Sequence, residues 1–562
     1  MLDASIANRV RTAARRFAGA NRGNIAVIFA IALVPLIAFV AVAVDYTRAN
    51  AARSAMQSAL DSVALMLSKD LADGRISESD IDQKAKTYFA ALYTNRDSVV
   101  ATTDIHGTYT ARDPATGQST IIVSGNGYVN SDFARMPAFN FPKLGFNSGA
   151  TSTWGNARMR VAMVLDVTGS MGSDNKMPNM QSAAKSMIDT LSALNRQTGD
   201  VYISVIPFSR DVNIGNGSPA ATWAAWAKWE DEPASIKTTK PANWKNYGPG
   251  SACPFGGQAF SCQTTPVNAS TGTSTIPASG TYSGYICPTL DSGTSNYYNG
   301  CYDSVLKSPA TSTTRQLCTG SSCACTIAKG MIGGTGSTCS CTGSNGSKTC
   351  SETTPDYNHT WIINDHSTWN GCVIDRDQNN DTTNTQPTLG DTATQFYAEQ
   401  YRLCPNKPLT ALSNQWATLK TMIDGLVPNG NTNQAIGAAW GWLSLTQTAP
   451  LSAPAKDPGY TYNDFVVLVS DGLNTQNRWS TDQTTIDNRQ KILCDNMKSA
   501  PYNVQIFAIQ INTSTTHPDP VSAVLQYCAG SADNFQMITS SSQTAQAFQN
   551  VTTQLAKLRV AH

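Results

Sequence analysis

The stretch RVAMVLDVTGSMGS, residues 160–173, ends an apolar run in oxygen-bearing side chains. Asp166, Thr168 and Ser170 follow that run at every second position. Carboxylates and neutral hydroxyls are hard donors suited to Mg²⁺, which takes near-octahedral oxygen ligands and usually keeps several waters. A turn at the end of a strand, with a cap for the next helix, explains the stretch equally simply. The stretch therefore indicates a metal site only together with other donors.

Two later segments supply such donors. The polar turn VPNGNTN places Thr432 at the entrance of a helix, and the apolar run DFVVLVSDG ends in Asp471. In an open parallel sheet, ligands bind beyond the carboxyl ends of the strands. We therefore expect Thr432 and Asp471 to meet the first stretch at one edge of a sheet. Neutral hydroxyls leave a cation under-compensated, so it would attract a carboxylate offered by another molecule.

The elements that must position these residues form an α/β alternation. Strands are predicted at 161–165, 201–208 and in DFVVLVSDG, VQIFAIQI and FQMI, and helices near 177–194, 434–445, 484–498 and 521–528. Continuous apolar strands between helices indicate a mostly parallel sheet covered on both faces. The pattern assigns residues 159–215 and 405–562 to one α/β domain.

Residues 216–404 interrupt this alternation and are predicted to form an irregular, disulfide-rich insertion. Twelve of the 14 cysteines fall between Cys253 and Cys404. An even number of cysteines in an exported chain indicates disulfides. Cys494 and Cys528 stand apart and are expected to pair, whereas the pairing of the other twelve does not follow from the sequence. Zinc at CAC or CSC is the alternative, although the nearest histidine is His359.

Residues 1–24 form a basic segment in front of an apolar span, IAVIFAIALVPLIAFVAVAV, from Ile25 to Val44. As a helix, such a span crosses about 30 Å, the hydrocarbon thickness of a bilayer. Five arginines precede it, opposed only by Asp3. The positive-inside rule then places the N-terminus in the cytoplasm and the rest of the chain outside. A cleaved signal peptide, with AVA as its cleavage site and Arg15-Arg16 as a weak twin-arginine signal, is the alternative.

Two further segments join this anchor to the α/β domain. Residues 45–74 are predicted to form an amphipathic helix that ends near Gly74, because apolar residues recur in it every three to four positions from Met56 to Leu71. Residues 75–158 are predicted to form a β-rich linker module, since β-branched and aromatic residues alternate there with Gly and Asn.

Net charge and the absence of catalytic motifs argue against two classes of function, nucleic-acid binding and catalysis. Lys and Arg number 40 against 39 Asp and Glu, a formal charge of +1, so no overall field favours nucleic acid. The five histidines are scattered, and no G-x-S-x-G or H-E-x-x-H motif occurs. No credible general base stands beside a nucleophile or metal, so no enzymatic activity is expected.

Two motifs have more than one interpretation. The loop DRDQNND offers Asp375, Asp377 and Asp381 as the opening of a calcium loop, but the EF-hand glycine and glutamate are missing. A calcium site of another type stays open. The tryptophans of WAAWAKWE, at helical spacing, are expected to pack in a core rather than to form a membrane-facing belt.

The three donor segments together resemble the von Willebrand factor A domain with its metal-ion-dependent adhesion site. The shared pattern is Asp-x-Ser/Thr-x-Ser, then a loop Thr and a loop Asp, here Asp166, Thr168, Ser170, Thr432 and Asp471. The resemblance covers about 160–215 and 405–562 and implies a Rossmann-like fold. It also implies a divalent cation, Mg²⁺ first and Mn²⁺ as the alternative, bound directly by the hydroxyls and largely through water by the aspartates. An acidic residue of a partner would complete the coordination.

The front of the chain, RGNIAVIFAIALVPLIAFVAVAVDYTRANAARSAMQSALDSVAL, resembles the TadE/TadG-like proteins of the tight-adherence (Flp) pilus system. Pilin-like members carry a glutamate where this chain has Ile28, and a glutamate is costly in a bilayer unless paired. The absence of this glutamate indicates a stationary anchor and not a subunit that is processed into a filament. The resemblance implies a single-pass inner-membrane protein whose periplasmic bulk binds a pilus or secretion-system protein. A cell-surface adhesin that uses the same site for external ligands is the alternative.

Overall fold

The computed structural model describes residues 11–12, 15–16, 24–72, 75–111, 118–135, 141–154, 157–195, 197–217, 222–254, 262, 274–288, 290–291, 294–344, 346–458, 460–514 and 518–560. Most of the basic segment 1–24 and the expected helix end at Gly74 lie outside these ranges. The chain divides into two compact units, which are Met1–Ala157 with Pro458–Thr461 and Val560–His562, and Arg158–Asp457 with Tyr462–Arg559.

The helices are α1 Asn24–Ala72, α2 Ile81–Leu92, α3 Lys176–Ser192, α4 Ala227–Glu230, α5 Ala234–Thr238, α6 Trp416–Asp424, α7 Gln434–Leu445, α8 Gln483–Lys498, α9 Ala523–Ala529 and α10 Thr544–Val560. The strands of the first unit are β1 Ser98–Val99, β2 Ile105–Thr110, β3 Ser119–Asn130 and β4 Lys143–Trp154. Those of the second unit are β5 Ala157–Asp166, β6 Val201–Phe208, β7 Val212–Asn213, β8 Ala224–Ala225, β9 Tyr285–Ile286, β10 Leu290–Asp291, β11 Asn296–Tyr297, β12 Gly300–Leu306, β13 Ser312–Thr319, β14 Thr338–Thr342, β15 Thr349–Pro355, β16 Tyr357–Ile363, β17 Cys372–Ile374, β18 Phe396–Glu399, β19 Thr410–Ser413, β20 Thr461–Ser470, β21 Gln505–Ile511 and β22 Phe535–Ile538.

In the first unit, the expected span and the expected amphipathic helix form one continuous helix. Helix α1 runs for 49 residues and contains Pro35. Among the described residues it is the helix long and apolar enough to cross a membrane. Its large side chains between Ile28 and Val44 are mostly exposed, whereas its later half is buried on one side.

That later half of α1 packs on a small antiparallel sheet. Met56, Leu60, Val63 and Leu67 are fully buried against α2 and the sheet, as expected of core packing. The strands follow the order β1, β3, β2, with β4 also paired to β3. The β-rich pattern of 75–158 therefore forms a sheet, while α2, which buries its own apolar stripe, is an element that the sequence analysis did not predict.

The second unit is built on a mixed sheet of ten strands in the order β22, β21, β20, β5, β6, β7, β17, β18, β8, with β19 paired to β6. The pairs β22–β21, β21–β20 and β5–β6 are parallel, and β6–β7, β7–β17, β17–β18 and β19–β6 are antiparallel. The predicted α/β architecture is confirmed, because the long central strands are the parallel ones.

Helices cover both faces of this sheet. Successive side chains of a strand point to opposite faces. Accordingly, Val161, Met163 and Leu165 of β5 join a core with α3, α6 and α10, whereas Ala162 and Val164 join a core with α7, α8 and α9. Helix α7 approaches the sheet closely at Gly437, where an added Cβ would lie 2.6 Å from the ring of Phe208.

The predicted insertion is more regular than its composition suggested. Strands β8, β17 and β18 come from residues 216–404 and extend the main sheet beyond β7. The sheet β16–β12–β9 and the sheet β13–β15–β14 are both three-stranded, and β10 pairs with β11. Backbone hydrogen bonding thus organises a segment whose side chains carry little apolar periodicity, which is why the pattern did not reveal it.

All 14 cysteines are disulfide-bonded, as expected for an exported chain. Cys494 pairs with Cys528, as predicted. The other bridges are Cys253–Cys262, Cys287–Cys301, Cys318–Cys323, Cys325–Cys339, Cys341–Cys350 and Cys372–Cys404. The CAC and CSC sulfurs lie in disulfides, so the zinc alternative is wrong.

The tryptophans of WAAWAKWE pack in the second unit, as expected. Trp229 is buried, and Trp223 and Trp226 are half-buried against the core that contains α7. Trp226 stacks on the ring of His366, with centroids 3.8 Å apart. The helical spacing was misleading, however, because α4 covers only Ala227–Glu230.

His359 gives the insertion a pH-dependent stability. Burial lowers the pKa of its imidazole to about 4, against the hydrogen bond with the carbonyl of Tyr247 at 2.8 Å, which favours the charged form. The unfolded chain takes up this proton near pH 6.5. Stability is therefore complete above about pH 6.5 and is lost as the pH falls towards about 4.

We expect the thermal midpoint of His359→Gln to fall less between neutral and acid pH than that of the wild type. Glutamine retains a donor for Tyr247 and has no titrating group. Differential scanning calorimetry of the full chain across this range measures the difference. If the thermal midpoints of the variant and the wild type fell equally with pH, groups other than His359 would govern the acid destabilisation.

Candidate metal centre

The predicted donor segments meet at the carboxyl edge of the sheet. Strand β5 ends at Asp166, and Asp471 directly follows β20. The Gly169 N–H donates to the Gly430 carbonyl over 2.9 Å, which joins the first loop to the loop before α7. Sheet topology thus brings together residues that lie about 300 positions apart in the sequence.

Asp166 is fully buried below this edge. One carboxylate oxygen accepts the Thr168 N–H at 2.8 Å, and the other accepts the Ser470 hydroxyl at 2.6 Å. Burial and, second, the charge of Asp471 raise the pKa of Asp166 to about 7, against these hydrogen bonds. The carboxylate is therefore under-compensated by its protein neighbours.

Asp471 is equally buried and binds two partners. The Ser170 hydroxyl donates to its Oδ1 at 2.8 Å, and the Lys176 ammonium lies 2.8 Å from its Oδ2. Lys176 is itself buried, at the start of α3. Lys176 therefore provides a counter-charge for Asp471 and not for Asp166.

The hydroxyls of Thr168 and Ser170 lie 3.1 Å apart on the first loop. Thr168 is buried, whereas Ser170 is exposed in the 3₁₀ turn Gly169–Gly172. The turn therefore gives the site a side that faces solvent.

Thr432 lies in the second loop, where its backbone is fixed by the third. Its N–H donates to the Thr475 hydroxyl at 2.8 Å, and its carbonyl accepts the Thr475 N–H at 2.9 Å. Asn433 follows as the cap of α7 and accepts the Ile436 N–H. The predicted polar turn at the start of a helix is confirmed.

Three buried amides connect the second and third loops. Gln434 donates to the Ser470 hydroxyl at 3.1 Å and to the Gly472 carbonyl at 2.9 Å. Asn474 accepts the Gln434 N–H at 2.8 Å and donates to Gln490 at 2.7 Å, and Gln490 donates back to Gln434 at 3.1 Å. A closed network of this kind fixes both loops.

The insertion also supports the second loop. Asn433 donates to Asp375 at 2.8 Å, and the Arg478 N–H donates to the same carboxylate at 3.1 Å. Burial, the largest influence, raises the pKa of Asp375 to about 6. Asp377 and Asp381 pair instead with Arg478 and Arg489, which gives both carboxylates a counter-charge from the protein.

Two charged residues of this centre were not predicted from the sequence. Lys176 shares the buried face of α3 with Met180 and Ala184, and a lysine on such a stripe was an available signal. Asp519 was not detectable by spacing. A carboxylate oxygen of Asp519 lies 3.0 Å from the position of an added Cβ on Gly472, and burial together with Asp471 raises its pKa.

The residues fit a hard divalent cation. Asp166, Thr168, Ser170 and Asp471 offer carboxylate and hydroxyl oxygens at one edge, and the loop of Thr432 abuts them. A single ammonium leaves net negative charge in the pocket, which a dication would neutralise. When bound, such an ion supplies a Lewis-acidic centre that can accept an oxygen ligand from another molecule.

The N-terminal segment matches a family model described as Flp pilus-assembly TadE/G-like, over residues 23–66. The front of this chain is a TadE/G-like segment. The match confirms the resemblance expected of that region and covers most of α1. The TadE/G-like segment includes the apolar span and the first part of the helix that packs on the β module. A search of curated proteins finds no match.

Solved structures with some likeness to this chain include pilus proteins. The pilus adhesin SpaC of Lactobacillus rhamnosus GG is 9% identical, with 82% of this chain and 35% of that chain covered and a TM-score of 0.29. The PilB minor pilin of Streptococcus sanguinis is 10% identical, with 80% and 77% covered and a TM-score of 0.28. The vWF domain of the type V pili tip protein Mfa5 of Porphyromonas gingivalis is 8% identical, with 72% and 97% covered and a TM-score of 0.29. The chain thus spans about a third of the adhesin that it matches.

Proposed function

We propose that this chain is a membrane-anchored, non-enzymatic component of Flp pilus assembly that binds a protein partner through a divalent cation. Asp166, Thr168, Ser170, Thr432 and Asp471 would hold the ion, Mg²⁺ before Mn²⁺. An acidic side chain of a pilus or secretion-system protein would complete its coordination. The TadE/G-like match supports the link to the pilus system.

One observation carries the metal part of this proposal. Asp166 and Asp471 are both fully buried, and among the described residues Lys176 pairs with Asp471 whereas Asp166 has no ion-pair partner. Burying a charge is costly unless it is paired or binds a metal. A dication next to the exposed Ser170 would remove this cost and remain open to an external ligand.

The apolar first half of α1 supports membrane anchoring. With the arginines in front of it, the N-terminus would lie in the cytoplasm and the metal centre in the periplasm. The adhesin alternative places the same centre outside the cell. Protease treatment of intact cells distinguishes the two, because a surface adhesin is cleaved and a periplasmic domain is protected.

Removal of one carboxylate tests the site directly. We expect Asp166→Asn to lower Mg²⁺ affinity by at least about tenfold, since it deletes a charge that favours the ion. Isothermal titration of the full chain in detergent micelles with MgCl₂ measures the affinity. The matched control is Asp174→Asn, because Asp174 is an exposed aspartate eight positions later whose φ of 52° suits asparagine.

Unchanged affinity in Asp166→Asn, or an equal loss in Asp174→Asn, would contradict the proposed site. Partner binding is tested separately by a photo-crosslinking residue in place of the exposed Ser173. We expect adducts with a pilus or secretion-system protein in Mg²⁺ and their loss in a chelator. Adducts that persist in the chelator would show that the ion has no role in binding the partner.

A further inference from the structure

Asp45 ends the apolar span and binds a loop of the β module. The loop between β3 and β4 donates three backbone N–H groups to its carboxylate, from Asp132 at 3.1 Å and from Phe133 and Ala134 at 2.8 Å. Arg48, one turn later on α1, bonds to the Asp132 carboxylate at 2.6 Å. Residues 132–134 are therefore bound to α1 directly after the last residue of the span.

The two described arms of this loop are also bonded to each other. The Phe141 N–H donates to the Ala134 carbonyl at 2.9 Å, and the Ser131 N–H donates to the Pro142 carbonyl at 3.1 Å. Phe141 therefore lies at the same level of α1 as Ala134, which Asp45 holds. These hydrogen bonds place Phe133 and Phe141 near the level of Asp45 along the helix.

Large aromatic side chains are exposed at this height. Tyr46 is 71% exposed, Phe141 is 61% exposed and Phe133 is 39% exposed. All three lie within the β module or on α1, and none packs in the buried core of the first unit. These aromatic rings, at the end of an apolar span, are exposed to water and not packed in the apolar core of the first unit.

We propose that Tyr46, Phe133 and Phe141 form an aromatic collar that inserts into the interfacial layer of the bilayer where α1 emerges. The inference rests on the proposed membrane anchoring and goes beyond it, because it assigns a second lipid contact to the β module. Aromatic side chains favour the interface between hydrocarbon and water. Since Asp45 places the loop at that boundary, the rings need no further movement to reach it.

Lipid photo-crosslinking tests the collar. The full chain is reconstituted in vesicles of phosphatidylethanolamine and phosphatidylglycerol with radiolabelled acyl chains, and p-benzoylphenylalanine replaces one residue at a time. Phe141 tests the collar, and Phe39, 78% exposed inside the span, reports anchoring. Ile122 is the matched control, being 43% exposed on β3. It lies nine positions before Ser131, about 30 Å along an extended strand.

We expect label at positions 39 and 141 and at least about fivefold less at position 122. Label at position 39 without label at 141 would overturn the collar while the anchor stands. Equal label at 141 and 122 would overturn it as well, since the module would then lie flat on the membrane. Absence of label at position 39 would overturn the anchoring and the collar with it.

Discussion

Asp471→Ala is expected to lower the free energy of unfolding by about 3 to 5 kcal/mol, because it leaves a buried ammonium without its partner. Lys176 lies 2.8 Å from Asp471 and is almost fully buried. The same substitution removes one of the proposed metal ligands, so Mg²⁺ binding should disappear as well. Denaturation in chelator and calorimetric titration with MgCl₂ measure the two losses separately.

The double variant Lys176→Met/Asp471→Ala separates these two effects. We expect it to recover most of the lost stability, because replacing a buried ion pair by apolar side chains is often neutral. It should still fail to bind Mg²⁺. A double variant as unstable as the single one would show that the ion pair does not account for the loss, and restored Mg²⁺ binding would remove Asp471 from the site.

Lys176→Met alone is expected to raise Mg²⁺ affinity by about tenfold to a hundredfold. The Lys176 ammonium neutralises Asp471 and repels a dication, and a contact of two unit charges at about 4 Å is worth about 1 kcal/mol in water and about 4 kcal/mol at an effective dielectric near 20. In chelator the variant should be less stable than the wild type, because Asp471 then lacks a counter-charge. At the same concentration of free Mg²⁺, the thermal midpoint of the variant should therefore rise more than that of the wild type.

Lys185→Met is the control for this prediction. Lys185 lies on the same helix, half-buried, and pairs with Asp424 away from the centre. Its substitution removes one positive charge at a distance, so Mg²⁺ affinity should change little. If Lys176→Met bound Mg²⁺ no better than the wild type, the ammonium would not compete with the ion.

The arrangement of the donor loops was largely predictable from the sequence. Apolar strands that end in Asp166 and before Asp471 place both carboxylates at one sheet edge by topology alone, and the contacts of Ser170 and Ser470 agree with that placement. The polar turn with Thr432 correctly predicted the entrance of α7, which Asn433 caps. These features depend on periodicity and on short-range rules, which a sequence displays directly.

The features that escaped prediction depend on contacts between distant segments. The pairing of Lys176 with Asp471 depends on two segments that lie far apart in the sequence, and Asp375 supports Asn433 only because β17 joins the main sheet. Strands β8, β17 and β18 carry no strong periodic signal, since each pairs over only a few residues. Their place in the sheet follows from backbone hydrogen bonds that side-chain patterns do not encode.

The continuity of α1 has a mechanical consequence. At 1.5 Å per residue, a helix of 49 residues is about 74 Å long, and no break separates its apolar half from the half that packs on the sheet. Since Pro35 lies within the apolar half, the helix has no joint at Asp45, where the two halves meet, and cannot absorb load by bending there. Tension applied to the β module would therefore be delivered to the membrane as tilt or displacement of the whole helix, which makes α1 a strut rather than a tether.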